Sequence, residues 1–102
     1  MQDCLFCRIV RGEIPAAIVH EDVWVLAFKD IQPQRPVHVL VIPKKHITSL
    51  AEATEADTEV LGRMLVIANR IAVDQGSTDG FRSIINTGRV GGQEVMHVHM
   101  HI

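Results

Sequence analysis

The sequence predicts an α+β fold in which a mostly antiparallel sheet of about five strands carries one long helix and a short N-terminal helix. Short apolar segments separated by turn residues predict the strands, and one long segment with helical apolar spacing predicts the helix. Because the other connections are short, consecutive strands are expected to be antiparallel neighbours, with the helix on one face. With 102 residues, of which 47% are hydrophobic, the chain can form one domain spanning residues 1–102.

The first half of the chain begins with a short predicted helix at residues 4–11, which Gly12 and Pro15 should end. Three strands are predicted next, at residues 18–20, 23–29 and 38–42. The first two form a hairpin, and a proline-containing loop at residues 30–36 leads to the third. The apolar run of the third strand is nearly continuous, which is typical of a central strand covered on both faces.

The second half contains the long helix and two further strands. Thr54 and Asp57 are spaced as in a capping box, so the helix is expected to begin there, and Gly76 should end it. Its apolar face consists of Leu61, Met64, Leu65, Ala68, Ile71 and Ala72. Strands at residues 81–86 and 95–102 follow, separated by a glycine-containing loop at residues 87–94.

The last predicted strand contains histidine at three alternate positions, His97, His99 and His101. Successive side chains of a strand point to opposite faces, so the three imidazoles share one face at a spacing of about 6.6–6.8 Å. The apolar residues between them fall on the other face, which is expected to belong to the core. Packing alone does not require three histidines on one face, so we expect the chemistry of the protein at this strand.

Three interpretations of the histidine face are compatible with the sequence. The histidines can be surface residues of an edge strand, or they can bind a catalytic zinc ion, since alternate histidines can direct two ring nitrogens at one metal. In the third interpretation, one histidine is a nucleophile. A neutral imidazole has one nitrogen with a free lone pair, while a neighbouring carbonyl can accept the proton on the other nitrogen and orient the ring.

A glycine-rich segment at residues 88–92 directly precedes the histidine strand. Glycine allows backbone N–H groups to approach an anion closely, although a Gly-Gly pair more often marks only a turn. Next to the histidines, the segment indicates a phosphate site. There, His101 could direct positive charge at a phosphate oxygen, and Gln93 could donate a hydrogen bond.

Composition excludes several classes of partner. The net charge of −2 and the pI of about 6.3 favour neither nucleic acid nor an anionic membrane surface. The sequence has no apolar run of about 18 residues and no apolar signal core, so a cytoplasmic protein is expected. Its two cysteines, Cys4 and Cys7, are too few for a disulfide framework and are expected to be metal-binding, redox-active or free thiols.

Together these motifs resemble the histidine triad (HIT) family. The alternating histidines of residues 97–102 match the family's defining motif, and other segments appear in the family's order and spacing: Phe28–Ile31, His38–His46, Asn86 and Gly91–Val95. The resemblance covers nearly the whole chain and is greatest to the Hint-type branch, the purine nucleoside phosphoramidases. It implies a HIT-like fold.

The resemblance implies a hydrolase of nucleoside 5′-phosphoramidates or related adenylates. His99 would attack the α-phosphorus of an AMP-like or GMP-like purine nucleotide, and water would cleave the resulting nucleotidyl-histidine. His101 would contact the phosphate, His38 and His97 would support the triad, and Asp30 would accept hydrogen bonds from the ribose. The remaining implied substrate-binding residues are Leu5, Phe6, Ile9, Phe28 and Ile31 around the base, and Asn86, Gly92, Gln93, Glu94 and Val95 around the phosphate.

Three other functions remain open at this point. One is hydrolysis of dinucleoside polyphosphates, another is nucleotide binding with residual catalysis, and the third is a zinc hydrolase that uses all three triad histidines.

The resemblance also implies a structural zinc site. Cys4 and Cys7 have the spacing of half a zinc site, and His46 and His97 match the two histidines that complete it in some HIT proteins. Four protein ligands would leave no open position on the metal. The alternatives are that the cysteines are free thiols and that His46 is an exposed residue.

The sequence departs from the family in two places. HIT proteins normally continue past the triad into a C-terminal tail that helps to form a dimer, whereas this chain stops at Ile102, so the tail is expected to be missing. Glu94 stands where some relatives have serine. A homodimer is still expected, with contributions from the long helix and from Ile84 and Ile85.

Overall fold

A computed structural model describes residues 4–102. The elements are α1 Leu5–Val10, β1 Ile18–Glu21, β2 Val25–Lys29, β3 Val39–Pro43, α2 Thr58–Asp74, β4 Ile84–Ile85 and β5 Met100–His101, with 3₁₀ turns at Leu50–Glu52 and Glu55–Asp57. The strands form one sheet in the order β1-β2-β3-β5-β4, and every neighbouring pair is antiparallel. The predicted α+β architecture, with five strands and one long helix, is confirmed.

Alternating side chains divide the core between the two faces of the sheet. On one face, α2 covers a set that includes Val25, Ala27, Val39, Val41 and Met100. On the other face, α1 contributes Phe6 and Ile9 to a second cluster with Leu26, Phe28, Leu40 and Ile42. β3 is therefore buried on both faces, as its continuous apolar run predicts.

The predicted capping box forms at the 3₁₀ turn Glu55–Asp57, which leads directly into α2. The Thr54 hydroxyl accepts the backbone N–H of Ala56, and the Asp57 carboxylate accepts the N–H of Thr54. Asp57 also pairs with Lys45 at 2.6 Å, which ties the start of the helix to the loop after β3. Gly76 follows the helix with φ of +102°, a conformation that favours glycine.

The structure corrects the lengths of the last two strands. β5 contains only Met100 and His101, and β4 only Ile84 and Ile85, instead of residues 95–102 and 81–86. Before β5, the chain pairs elsewhere, because Val98 donates its N–H to the carbonyl of Ile47. Ile102 nevertheless extends the pairing with β3 through two hydrogen bonds to Val39, at 2.9 and 3.1 Å.

The second strand of the first hairpin begins at Val25 instead of residue 23. Trp24 belongs to the turn, because the Asp22 carboxylate accepts the N–H groups of both Trp24 and Val25. Among residues 4–102, no helix has the length and apolar character needed to cross a bilayer.

Candidate active site

A cavity of about 510 Å³ lies between α1, the loop after β2 and the segments next to β4 and β5. This volume is in the range of small-molecule sites. Its apolar wall includes Leu5, Phe6, Ile9, Phe28 and Leu40. Its polar wall includes Asp30, His38, Asn86, Glu94, His99 and His101. Ile31, Gly92 and Val95 also line the cavity, so the structure places every predicted substrate-binding residue except Gln93 on its surface.

His99 is oriented by the backbone of its own strand. Its Nδ1 lies 2.8 Å from the carbonyl oxygen of His97, and because a carbonyl only accepts, Nδ1 carries the hydrogen. In the neutral ring, Nε2 then keeps its lone pair. The ring is buried against the edge of Phe6, with centroids 5.2 Å apart, and lines the cavity. This is the geometry that the nucleophile interpretation requires.

A hydrogen-bonded chain sets the protonation of the next two histidines. The backbone N–H of Gln34 donates to Nδ1 of His38 at 3.1 Å, so the hydrogen of neutral His38 is on Nε2. That Nε2 lies 2.9 Å from Nδ1 of His101 and 3.5 Å from the Asp30 carboxylate. His38 therefore donates to His101, and neutral His101 carries its hydrogen on Nε2.

The surroundings of His101 favour its neutral form. Burial, followed by the charges that His99 and His38 carry when protonated, lowers the pKa of His101 from its ordinary value. A second proton on Nδ1 would also displace the hydrogen bond from His38. Without a ligand, this geometry favours a neutral N–H donor at His101, and the predicted contact of His101 with the phosphate stays a prediction.

Gln93 is the predicted site residue that does not reach the cavity. Its amide nitrogen donates to the carbonyls of Thr48 and Val95 at 2.7 and 2.9 Å, and its amide oxygen accepts the N–H of Gly88 at 2.9 Å. Both amide hydrogens are used, so the side chain has none left for the phosphate that the sequence predicted. Gln93 instead fixes the glycine-rich loop against its neighbours.

Phe6 connects α1 to the histidines. Its ring contacts His97 and His99 edge-on, with centroids 5.8 and 5.2 Å apart, and packs on Phe28 at 5.6 Å. Leu5 and Ile9, from the same helix, also line the cavity. One side of the pocket therefore depends on where α1 is held.

Four predicted ligands come together behind α1. The thiols of Cys4 and Cys7 and one nitrogen each of His46 and His97 all lie within 4.8 Å of one another. His97 Nδ1 is 3.3 Å from Cys4 Sγ and 3.6 Å from Cys7 Sγ, and His46 Nδ1 is 3.3 Å from Cys7 Sγ. Donor atoms around a tetrahedral zinc are roughly 3.3–3.8 Å apart, given the usual Zn–S and Zn–N lengths. The cluster is therefore able to hold a metal ion.

The environment of His97 suits metal binding. Its Nε2 donates to the Pro43 carbonyl at 2.9 Å, which leaves the lone pair on Nδ1, the nitrogen next to the two thiols. Burial lowers the pKa of His97 to about 4, which keeps the ring neutral. His46 is held similarly, since its Nε2 lies 3.3 Å from the Thr48 hydroxyl.

The sequence analysis missed the loop after Asp30. Gln32, Gln34 and Arg35 line the cavity, as do Ile14, Pro15, Ala16 and Ile84. Asp30 and His38 both belong to the site, and only seven residues separate them. A loop of that length has to stay close to the site, and this spacing is the signal that identifies its residues.

Comparison with known proteins identifies the family. The HIT domain description matches residues 11–102. Protein HitA of Neisseria gonorrhoeae is 50% identical over 102 residues, which are 100% of this chain and 95% of HitA. A HIT family hydrolase from Legionella pneumophila has a TM-score of 0.92 at 48% identity, covering 97% of this chain and 89% of that one. A histidine triad nucleotide-binding protein from Candida albicans has a TM-score of 0.83 at 34% identity, covering 97% and 72%.

The chain therefore belongs to the HIT family. Membership supports a nucleotide-binding hydrolase, and the cavity with its histidines is the candidate active site.

Proposed function

We propose that this protein hydrolyses nucleoside 5′-phosphoramidates and related adenylates through a nucleotidyl intermediate on His99. The observation that carries the proposal is the hydrogen bond from His99 Nδ1 to the His97 carbonyl. It leaves Nε2 of a neutral, buried imidazole as a nucleophile at the wall of a nucleotide-sized cavity.

The reaction proceeds in two displacements at phosphorus. In the first, the Nε2 lone pair of His99 forms a bond to the α-phosphorus, and the bond from phosphorus to the amine nitrogen breaks. The departing nitrogen keeps the bonding pair and takes a proton from solvent. In the second, water attacks phosphorus, the bond to Nε2 breaks, and the nucleoside monophosphate leaves with one proton released. Dividing one difficult displacement into two easier ones is the advantage of covalent catalysis.

The polar wall of the cavity supports both displacements. His101 donates its Nε2–H to a nonbridging phosphate oxygen, with its tautomer set by His38. Asn86, Glu94 and Val95 lie on the same wall, and the Asn86 side chain and the backbone N–H groups of Glu94 and Val95 provide further donors to the phosphate. Such preoriented donors stabilise the charge that accumulates on oxygen in the transition state.

The apolar wall binds the nucleoside. Leu5, Phe6, Ile9, Phe28 and Ile31 form a slot for a purine base. The Asp30 carboxylate also lies on the cavity wall, 3.5 Å from Nε2 of His38. Its Oδ1 already accepts the N–H of Gln32, and its remaining lone pairs accept the ribose hydroxyls.

We further propose that the cysteine–histidine cluster holds a structural zinc ion. Cys4, Cys7, His46 and His97 would occupy all four positions, so the metal would cross-link α1 to the segments that carry the two histidines and would take no part in the reaction. Two reduced thiols are needed, which agrees with a cytoplasmic location. The functional unit is proposed to be a homodimer.

The proposal is tested by comparing His99→Asn with the wild-type protein on an adenosine phosphoramidate and on a dinucleoside polyphosphate. We expect the wild type to favour the phosphoramidate and His99→Asn to lose at least about 10³-fold in kcat, while still binding AMP. His20→Asn is the matched control, because His20 pairs with Asp22 in the first hairpin, outside the cavity. A fully active His99→Asn protein would refute the assignment of His99 as the nucleophile. A preference for the polyphosphate would refute phosphoramidates as the substrate class.

A further inference from the structure

The proposed phosphate site brings several negative charges together. Among the cavity-lining residues of the described chain, Asp30 and Glu94 are acidic. A nucleotide phosphate adds one or two further negative charges to the same wall. Asp30 is half-buried and Glu94 is exposed, so solvent screens part of their charge, and a cation next to the phosphate would offset the remaining repulsion among the three groups.

The histidines do not supply this cation. The N–H of Gln34 donates to Nδ1 of His38, and the Nε2–H of His38 donates to Nδ1 of His101. Both ring nitrogens of His38 and the Nδ1 of His101 are therefore already engaged in hydrogen bonds. His101 would have to give up the bond from His38 to become cationic.

Arg35 is the one lysine or arginine among the cavity-lining residues of the region 4–102. It directly follows Gln34, whose backbone is fixed on His38, so the base of its side chain is held beside the histidine pair. The positive charge of Arg35 is close enough to His101 to contribute to lowering the pKa of that histidine. Within the described residues, Arg35 forms no ion pair, and the Asp30 carboxylate approaches His38 instead.

We propose that Arg35 binds the phosphate of the nucleotide and supplies the fixed positive charge of the active site. This inference rests on the proposed function, since it needs a nucleotide in the cavity. The guanidinium is always protonated and can donate two parallel N–H groups to phosphate oxygens. His101 then donates a neutral hydrogen bond, and Arg35 provides the charge.

The test compares the dissociation constants of AMP and adenosine, measured by isothermal titration calorimetry, because the two ligands differ only in the phosphate. Arg35→Gln should weaken AMP binding about tenfold or more and leave adenosine binding within about twofold. Arg35→Lys should retain part of the AMP affinity, since it keeps the charge but not the fork of donors. Arg70→Gln is the control, because Arg70 lies on α2 next to Asp74 and not at the cavity.

Ionic strength provides a second readout. Between about 0.05 and 0.5 M salt, AMP affinity of the wild type should fall more steeply than that of Arg35→Gln, because screening acts on the charge that the variant lacks.

Unchanged AMP affinity in Arg35→Gln would overturn the inference. An equal loss for AMP and adenosine would also overturn it, because it would show that Arg35 only shapes the loop. Failure of the wild type to bind either ligand would instead refute the proposed function.

Discussion

His97 contributes to two sites, to one through its ring and to the other through its backbone carbonyl. Its ring takes part in the cysteine–histidine cluster, with Nδ1 3.3 Å from Cys4 Sγ, while its carbonyl accepts the hydrogen of His99 Nδ1 at 2.8 Å. The residue that positions the proposed nucleophile is thus itself held by the proposed metal ligands and by Pro43. A substitution of His97 is expected to disturb both sites together.

Gln93 is expected to be a positioning residue. Gln93→Ala removes a buried amide that makes three hydrogen bonds and leaves groups of Thr48, Val95 and Gly88 without partners. The free energy of unfolding, measured in urea, should fall by about 2–4 kcal/mol. The kcat of the proposed phosphoramidase reaction should fall as well, because the glycine-rich loop loses its anchor.

Gln32→Ala is the matched control for Gln93, since the Gln32 side chain is exposed at the rim of the cavity. Equal stability of Gln93→Ala and the wild type would show that the three hydrogen bonds contribute nothing.

His101 is expected to titrate below the ordinary histidine range. Its pKa is lowered by burial and by the neighbouring His99 and His38, so the ring signals in NMR spectra should shift with a midpoint below pH 6.5. His38→Ala removes one neighbouring charge and frees Nδ1, so it should move the midpoint upward. A midpoint at or above pH 6.5 in the wild type would contradict the neutral donor.

The same shifts have a consequence for stability. In the unfolded chain, His97 and His101 become protonated below about pH 6.5. In the folded protein both pKa values are lower, that of His97 being about 4. The unfolding free energy of the metal-free protein should therefore be constant above about pH 6.5 and decrease as the pH falls toward 4. The slope should reach at most about 2.7 kcal/mol per pH unit for two protons.

Individual site residues were predictable to different degrees. The alternation of His97, His99 and His101 is visible in the sequence because strand geometry alone places them on one side. The hydrogen bonds of Gln93 and the place of Arg35 at the cavity were not, because they depend on which backbone groups and which loop lie nearby in the folded chain. Residue type indicates what a side chain can bind, but not whether a neighbour already uses it.

At the scale of secondary structure, one face of α1 contributes to the cysteine–histidine cluster and the other lines the cavity. Cys4, at its N-cap, and Cys7 face the two cluster histidines, while Leu5, Phe6 and Ile9 line the cavity. The helix has only six residues, which is too short to be stable by itself. Its position therefore depends on packing and on whatever holds the two thiols.

Removing the proposed zinc ion should loosen α1 and weaken nucleotide binding. Treatment with a chelator, or the substitution Cys4→Ser, is expected to lower the midpoint of thermal unfolding by about 10 °C or more. AMP affinity should fall, and AMP should raise zinc affinity by the same factor, since coupling between two binding sites is reciprocal. Scanning calorimetry of zinc-loaded and zinc-free protein measures the unfolding midpoint, and titration calorimetry measures the AMP and zinc affinities.

Purified protein without stoichiometric metal that keeps full stability and AMP affinity would contradict the structural zinc site.

The elements were predictable where the local pattern was strong. β3 and α2 follow from a continuous apolar run and from helical spacing, and the Thr54–Asp57 capping box forms as predicted. β4 and β5 are shorter than predicted, because strand assignment depends on partners. Val98 pairs with Ile47 outside the sheet, which no local pattern reveals.

At the scale of the whole molecule, the sheet buries one face under α2 and the other under α1. The outer side of α2 nevertheless exposes apolar residues, since Leu65 is 58% and Val66 80% exposed. β4 forms an edge of the sheet. An apolar helix surface and an unpaired strand edge are features that a second copy of the chain can cover.

Val66→Glu is therefore expected to convert a homodimer to a monomer, because it introduces a charge into the proposed interface. Sedimentation velocity measures the change in mass. Val23→Glu is a matched control, since Val23 is also 80% exposed but lies at the turn of the first hairpin. A monomeric wild type, or a Val66→Glu protein with the same mass as the wild type, would contradict this assembly.

The most direct test of the central claim is to trap the intermediate. The wild-type protein is mixed with an adenosine phosphoramidate, quenched with base within one turnover, digested and analysed by mass spectrometry. The proposed mechanism predicts a peptide carrying one adenylyl group on His99, which is absent from His99→Asn. Turnover without any adenylylated peptide, or an adenylyl group on a different histidine, would contradict it.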